Sequence, residues 1–209
     1  LAAIANYSAA AASFLEAAPM QLTKVQEAVN RMGDESRRAG KIIHSMRSFI
    51  QKRASRHDTH NLFGLLAEPL ALLAPFSKRL QVEIKVDVIE RDIMIDCDAV
   101  MIEQVLFNLL RNALEAISDQ ALAGTAQAVA VQIVRDDESV IVSVADSGPG
   151  FSDPDKLFQP FYTTKSDSMG LGLAICRTVI ESHGGRLWGE ANVGGGACFK
   201  FRLPSAVLV

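Results

Sequence analysis

The chain has 209 residues, 49% of them hydrophobic and 22% charged, with a formal net charge of −3. That length suffices for one well-filled domain plus a smaller piece, and the composition is that of a soluble globular protein, not a disordered one. The slight acidity argues against a general nucleic-acid binder, which needs a basic face.

Cys97, Cys176 and Cys198 are far apart and form no Cys-x-x-Cys pair. Neither a disulfide framework nor a zinc site is indicated, and a reducing cytoplasm fits best. The alanine-rich start lacks the basic region of a signal peptide and is interrupted by Asn6, Ser8, Ser13 and Glu16. Leu1 is not Met and already falls inside a helical pattern, so we expect a piece of a longer protein, whose membrane anchoring is left open.

Leu1, Ile4, Ser8, Ala11 and Leu15 form a heptad seam in an alanine-rich helix that ends before Pro19. A second seam runs through Val25, Val29, Met32, Ser36, Ala39, Ile43, Met46 and Ile50, with Thr23 as its expected cap. Gly33 and Gly40 each weaken that helix by roughly 1 kcal/mol relative to alanine, so packing must hold it. Two helices so joined form a hairpin that cannot bury its seam alone. We favour a two-fold dimer making a four-helix bundle over packing on the chain's own globular domain.

Gln51–His60 is polar and basic and reads as a linker, with His57 and His60 solvated in it. His44 reads as a partly buried helix residue. Beyond the linker, Leu62, Leu65, Leu66, Leu70 and Leu73 predict a helix kinked or started near Pro69. Val82–Val88 alternates as a strand, and Ile93 and Ile95 mark a second, short one. Asp98 caps a helix over 98–118. Val129–Ile133 and Val140–Val144 alternate on either side of a turn at 135–138, an antiparallel pair leading into Asp146. A helix over 170–183 stops at Gly184-Gly185, and strands follow at 186–189 and 198–203. The fold class is therefore α+β: a helical hairpin, then an α/β sandwich with a mixed, mostly antiparallel sheet and helices on one face.

Three polar residues sit at helical spacing on helix 98–118. Asn108 and Asn112 are one turn apart, and Glu115 follows on the same side. Paired amides on one face suit a magnesium ion or a polyphosphate. Downstream, a lone carboxylate precedes glycines in Asp146-Ser-Gly148-Pro-Gly150. A Thr/Lys-rich loop follows through Phe158, Phe161, Thr164 and Lys165, and Gly170-Leu171-Gly172 opens an apolar helix. Glycine amides approach phosphates where side chains would block them, and a helix start presents free N–H groups to an anion.

These stretches occur in the order and spacing of the N, G1, F and G2 boxes of sensor histidine kinases. The chain resembles the transmitter core of that family, most closely the oxygen-sensing and nitrogen-regulatory type. Four short boxes in register are specific where any one would be weak. The resemblance implies a dimerisation and phosphotransfer hairpin at 1–55 and an ATP-binding catalytic domain at 61–204. It implies that Asp146 accepts from the adenine amine while Gly148 and Gly150 let the loop pass close to the base. Asn112 would ligate magnesium, with Asn108 beside it. Phe158 and Phe161 would anchor a mobile lid spanning residues 151–169, Thr164 would join the nucleotide contacts, and Lys165 would reach the phosphates. Gly170, Leu171 and Gly172 would offer backbone amides. Asn108, Asn112 and Lys165 are thus the candidate catalytic residues.

The implied cofactors are ATP and Mg2+; the implied partners are a second copy through the hairpin and a response-regulator receiver domain, with no nucleic acid. Gyrase-type ATPases on the same fold carry a glutamate base where this chain has Asn108, so slow hydrolysis is expected. The phosphoacceptor histidine would lie upstream of Leu1, and neither His44 nor His183 substitutes for it. Ala197 stands where the family often has threonine, which would weaken the adenine contact. The alternative is an inactive nucleotide-binding phosphotransfer or docking adaptor on this fold.

Overall fold

The computed structural model describes residues 2–17, 21–50, 57–118, 127–165, 170–193 and 195–206, with backbone only for 37–50. The chain divides into two compact units, Leu1–Gln51 and Lys52–Val209. Among the described residues no helix is long and apolar enough to cross a membrane.

The first unit is a hairpin of α1 (Ala2–Glu16) and α2 (Leu22–Ile50). The covered residues are Tyr7, Ala11 and Phe14 on α1 and Val25, Ala28 and Met32 on α2: Ala11 and Ala28 are buried and the others half-buried. This contact uses only part of the expected seams. Ser8, Leu15, Val29 and Ser36 are exposed, because two helices alone cover one flank of a heptad stripe. Thr23 is not the cap. The amides of Lys24 and Val25 donate to the Gln21 carbonyl at 3.0 and 3.1 Å, which makes Gln21 the residue before the first turn and Thr23 an internal one. The side chain of His44 and residues 51–56 of the expected linker lie outside the described residues.

The second unit opens with β1 (Asp58–Asn61), a 3-10 turn (Gly64–Leu66) and α3 (Ala67–Leu80). There follow β2 (Glu83–Val88), β3 (Met94–Cys97), α4 (Ala99–Ser118), β4 (Ala128–Asp136) and β5 (Ser139–Asp146). Then come α5 (Gly172–Ser182), β6 (Arg186–Ala191) and β7 (Ala197–Pro204). His60 is therefore not a linker residue but part of β1, which pairs antiparallel with β3. Pro69 sits buried in the first turn of α3, where a missing N–H costs nothing, and the helix runs on through Pro75.

The main sheet has the order β2-β4-β5-β7-β6. Only β2–β4 is parallel, and the other pairs are antiparallel. The fold is α+β, with a mixed, mostly antiparallel sheet. Strict alternation along β4 and β5 puts Val129, Val131, Ile133, Val140, Val142 and Val144 on the inner face. The apolar stripe of α4, including Ile102, Leu106, Leu109 and Leu110, closes over them, each 0% exposed. Burial of each such side chain contributes roughly 1.5–3 kcal/mol.

Asp98 begins α4 as expected, its carboxylate accepting from the Met101 N–H at 3.3 Å. Its own N–H donates to His183 Nε2 at 3.1 Å, while His183 Nδ1 meets the Val179 carbonyl at 2.7 Å. His57 stacks on that ring, 4.8 Å between centroids. The buried imidazole thus ties the start of α4 to the end of α5. Gly184, at φ 72°, ends α5, and the Gly185 amide donates to the Ile180 carbonyl at 2.9 Å.

Candidate functional site

Asp146 is the last residue of β5. The strand's alternation turns it onto the inner face, where it is 2% exposed. Its Oδ1 accepts from the Gly148 N–H at 2.8 Å and the Ala197 N–H at 3.1 Å. Its main-chain carbonyl accepts from Asn192 Nδ2 at 2.9 Å. One side chain therefore ties the exit of β5 to the entry of β7. Burial holds its pKa above the ordinary aspartate value, opposed by the two amides and by the charge of Lys165.

The glycines around it are spatial requirements. A Cβ on Gly196, at φ 96°, would stand 1.9 Å from the Asp146 carbonyl oxygen. One on Gly148 would meet Ala116 Cβ of α4 at 3.0 Å. The backbone after β5 packs closely against both α4 and the β7 entry, leaving no room for a side chain at these glycines.

Asn108, Asn112 and Glu115 lie half-buried on α4. Asn108 hydrogen-bonds the Cys176 thiol of α5; burial dominates that thiol and pushes it up to about 12, against the pull of Asn108. Glu115 accepts from Arg111 Nε at 2.6 Å and from Lys165 Nζ at 3.1 Å. Burial would raise its pKa, but the two cations together hold it below the usual glutamate range. Phe158 packs edge-on against Phe199 at 6.5 Å, with the Arg177 guanidinium 5.8 Å from its ring centre. Leu171 precedes the first turn of α5 without a side-chain cap, and a Cβ on Gly172 would meet nothing within 4 Å. A buried carboxylate, a bare helix start and clustered cations have the parts needed for a purine nucleotide.

Residues 97–207 match the family described as histidine kinase-, DNA gyrase B-, and HSP90-like ATPase. The chain belongs to that family. It is similar to the sensor protein FixL of Bradyrhizobium diazoefficiens, 38% identical over 99% of this chain and 41% of FixL. The C4-dicarboxylate transport sensor protein DctS of Rhodobacter capsulatus is 37% identical over 98% of this chain and 31% of DctS. This chain thus spans well under half the length of either. Among solved structures, the catalytic domain of histidine kinase ThkA aligns with TM-score 0.62 and 32% identity, covering 71% of this chain and 95% of that one. ThkA in complex with response regulator protein TrrA aligns with TM-score 0.69 and 27% identity, covering 97% and 59%. The chain carries a histidine kinase transmitter core with its ATP-binding domain.

Not every residue expected in the site of this kinase core converges. Asp146, Gly148 and Gly150 form one surface with the β7 entry, since a Cβ on Gly150 would be 3.0 Å from the Gly196 carbonyl. Lys165 reaches α4 through Glu115. Phe158 anchors its loop, but Phe161 does not. The residue is 74% exposed, at φ 68°, and its contribution is a backbone bond from its N–H to the Gly170 carbonyl at 3.0 Å. Thr164 is exposed. Residues 166–169 of the expected lid lie outside the described residues. Sequence reading missed Asn192, Arg111, Ala116 and the backbone role of Ala197. Arg111 was in view inside Asn108-Leu-Leu-Arg-Asn112, whereas Asn192 had only its place before the glycine run as a signal.

Proposed function

We propose that this core binds Mg-ATP between α4 and the segments at Asp146–Gly150 and Gly170–Gly172. In the full protein it passes the γ-phosphoryl to a histidine upstream of residue 1, and then to an aspartate of a response regulator. The observation that carries the reading is Asp146: a buried carboxylate at a strand end, cradled by glycines that leave a base no side chain to meet. In the first step the bond from the γ-phosphorus to the bridging oxygen breaks, a bond to a histidine nitrogen forms, and ADP leaves. In the second the phosphoryl moves from nitrogen to a carboxylate oxygen.

Asp146 takes the adenine amine, and Phe158 fixes the intervening loop. Gly170, Leu171 and Gly172 turn their amides to the phosphates, with Thr164 and Lys165 beside them. Phosphoryl transfer is largely positioning and charge neutralisation, so these parts suffice. Asn108 offers no carboxylate to activate water, which favours transfer over hydrolysis.

Among the described residues no group of His, Cys, Asp and Glu is placed to hold a metal ion. Magnesium would arrive with the nucleotide, since this ion keeps several waters and needs only one or two protein oxygens. The Asn112 amide oxygen would hold it, and it would neutralise phosphate charge.

We assign residues 1–55, which include the compact unit Leu1–Gln51, as the dimerisation and phosphotransfer hairpin, and 61–204 as the catalytic domain. Exposure of Leu15 and Val29, 47% and 48%, supports a second hairpin covering the rest of the seam. The ThkA–TrrA likeness supports a receiver-domain partner.

Magnesium-dependent ATP binding by the wild type, Asp146→Ala and Asn112→Ala tests the site. Loss in both variants is expected, and unchanged affinity in both overturns it. Restoring an upstream segment with the histidine and assaying phosphohistidine then separates a kinase from an inactive adaptor.

A further inference from the structure

Glu115 carries an inference beyond the binding of ATP, though it rests on that reading. A carboxylate beside a triphosphate is a liability, since like charges at close range disfavour each other. Yet Glu115 projects from α4 one turn beyond Asn112 and draws two cations onto itself. Arg111 comes from its own helix, four residues back, and Lys165 from a loop 50 residues on. The group is half-buried, with the Glu115 side chain 23% exposed and that of Lys165 27% exposed, so water screens it less than a surface pair. Two positive charges and one negative leave a net positive cluster at the edge of the proposed phosphate site.

We propose that Glu115 is a positioning residue that holds Lys165 and Arg111 in reserve when the site is empty and gives them up to the phosphates. The exchange is an ion-pair swap with no covalent step: each ammonium or guanidinium N–H changes its acceptor from a carboxylate oxygen to a phosphate oxygen. Glu115 therefore competes with the nucleotide for both cations. It acts chiefly on the phosphates; at the base-binding surface Asp146 also feels the charge of Lys165.

Four consequences separate this from a structural role. Glu115→Gln keeps the shape and removes the competing charge, so ATP binds about five- to tenfold tighter, the scale of a partly exposed ion pair. Adenosine, which lacks phosphates, shifts by less than ATP does. In the nucleotide-free protein the Lys165 amine is labelled faster by an acylating reagent in Glu115→Gln than in wild type, read at that residue by peptide mass spectrometry. Glu115→Asp, which retains the charge, behaves like wild type in ATP affinity.

The decisive experiment measures ATP and adenosine affinity by calorimetry, with Lys165 labelling alongside, in wild type, Glu115→Gln, Glu115→Asp and Asp146→Ala. Weaker or equal ATP binding in Glu115→Gln overturns the proposal, as does an equal shift for adenosine or unchanged labelling. If Asp146→Ala binds ATP as tightly as wild type, the nucleotide reading fails instead. The labelling arm still decides whether Glu115 holds Lys165, because it uses no nucleotide.

Discussion

Gly172→Ala separates folding from phosphate binding more cleanly than any other single change. Gly172 is the first residue of α5, and its φ lies outside the left-handed region. A methyl group there meets no heavy atom within 4 Å, so neither clash nor strain opposes it. Alanine is favoured over glycine in helices by about 0.8–1 kcal/mol, and a first-turn position should realise part of that. Stability in urea should therefore hold or rise by up to about 1 kcal/mol. If the helix start faces the phosphates, the same methyl stands in their approach. Losing one charge-assisted hydrogen bond costs about 1.5–3 kcal/mol, roughly 10- to 150-fold in affinity. Urea unfolding supplies the first quantity, and calorimetry with ATP and adenosine the second. ATP affinity within twofold of wild type, in a protein of undiminished stability, would refute the placement of phosphates at α5. An equal loss for adenosine would refute it as well, since the base does not touch this helix in the proposed mode.

The same logic extends to four other positions. Gly196→Ala puts a methyl 1.9 Å from the Asp146 carbonyl at φ 96°, so it should lower folding stability by at least about 2 kcal/mol; Gly195→Ala, at φ 104° with nothing within 4 Å, isolates the strain alone. His183→Ala removes the acceptor of the Asp98 N–H and the contact with Val179, and should cost about 2–3 kcal/mol in denaturant unfolding, without a selective effect on ATP over adenosine. Asp146 predicts opposite pH trends for binding and folding. Its folded pKa is raised, so its contribution to stability is fully present below the unfolded value and is lost as pH rises through the folded value. Adenine binding wants the ionised acceptor and should weaken as pH falls through that same raised value, above where an ordinary aspartate protonates. Asp146→Asn should flatten both profiles.

The strands were legible because period-2 alternation leaves little choice: Val129-Ala-Val131-Gln-Ile133 can bury only one face. The Asp98 cap was legible because a helix start writes its chemistry locally. Errors fell where distant segments meet. His60 looked like linker because four polar residues, Asp58 to Asn61, become a strand only when β3 lies alongside. The parallel pairing of β2 with β4 has no local mark, since it depends on the crossover through β3 and α4. The family resemblance implied Phe161 as an anchor beside Phe158, yet its backbone bonds to Gly170 and its side chain is left exposed. Thr23 lost the cap to Gln21 because the carbonyl, not a side chain, receives the first amides.

The tie between Asp146 and the start of β7 joins residues 51 apart, and it explains Gly196 better than ligand approach alone. Gly196 is required first by folding: its missing Cβ lets β7 start against the Asp146 carbonyl, which brings the Ala197 amide to Oδ1. Without that amide, burial of the carboxylate would go less compensated and its pKa would rise further. In the proposed binding mode, the ionised acceptor is thus favoured by backbone amides and the charge of Lys165, not by the side chain at 197. The expected penalty for alanine there is accordingly confined to whatever contact a hydroxyl would add. Ala197→Thr tests this. It should alter nucleotide affinity by no more than the ~1 kcal/mol of one neutral hydrogen bond, while leaving the pH midpoint of binding in place. A shifted midpoint would mean that the side chain, not the backbone, sets the charge on Asp146.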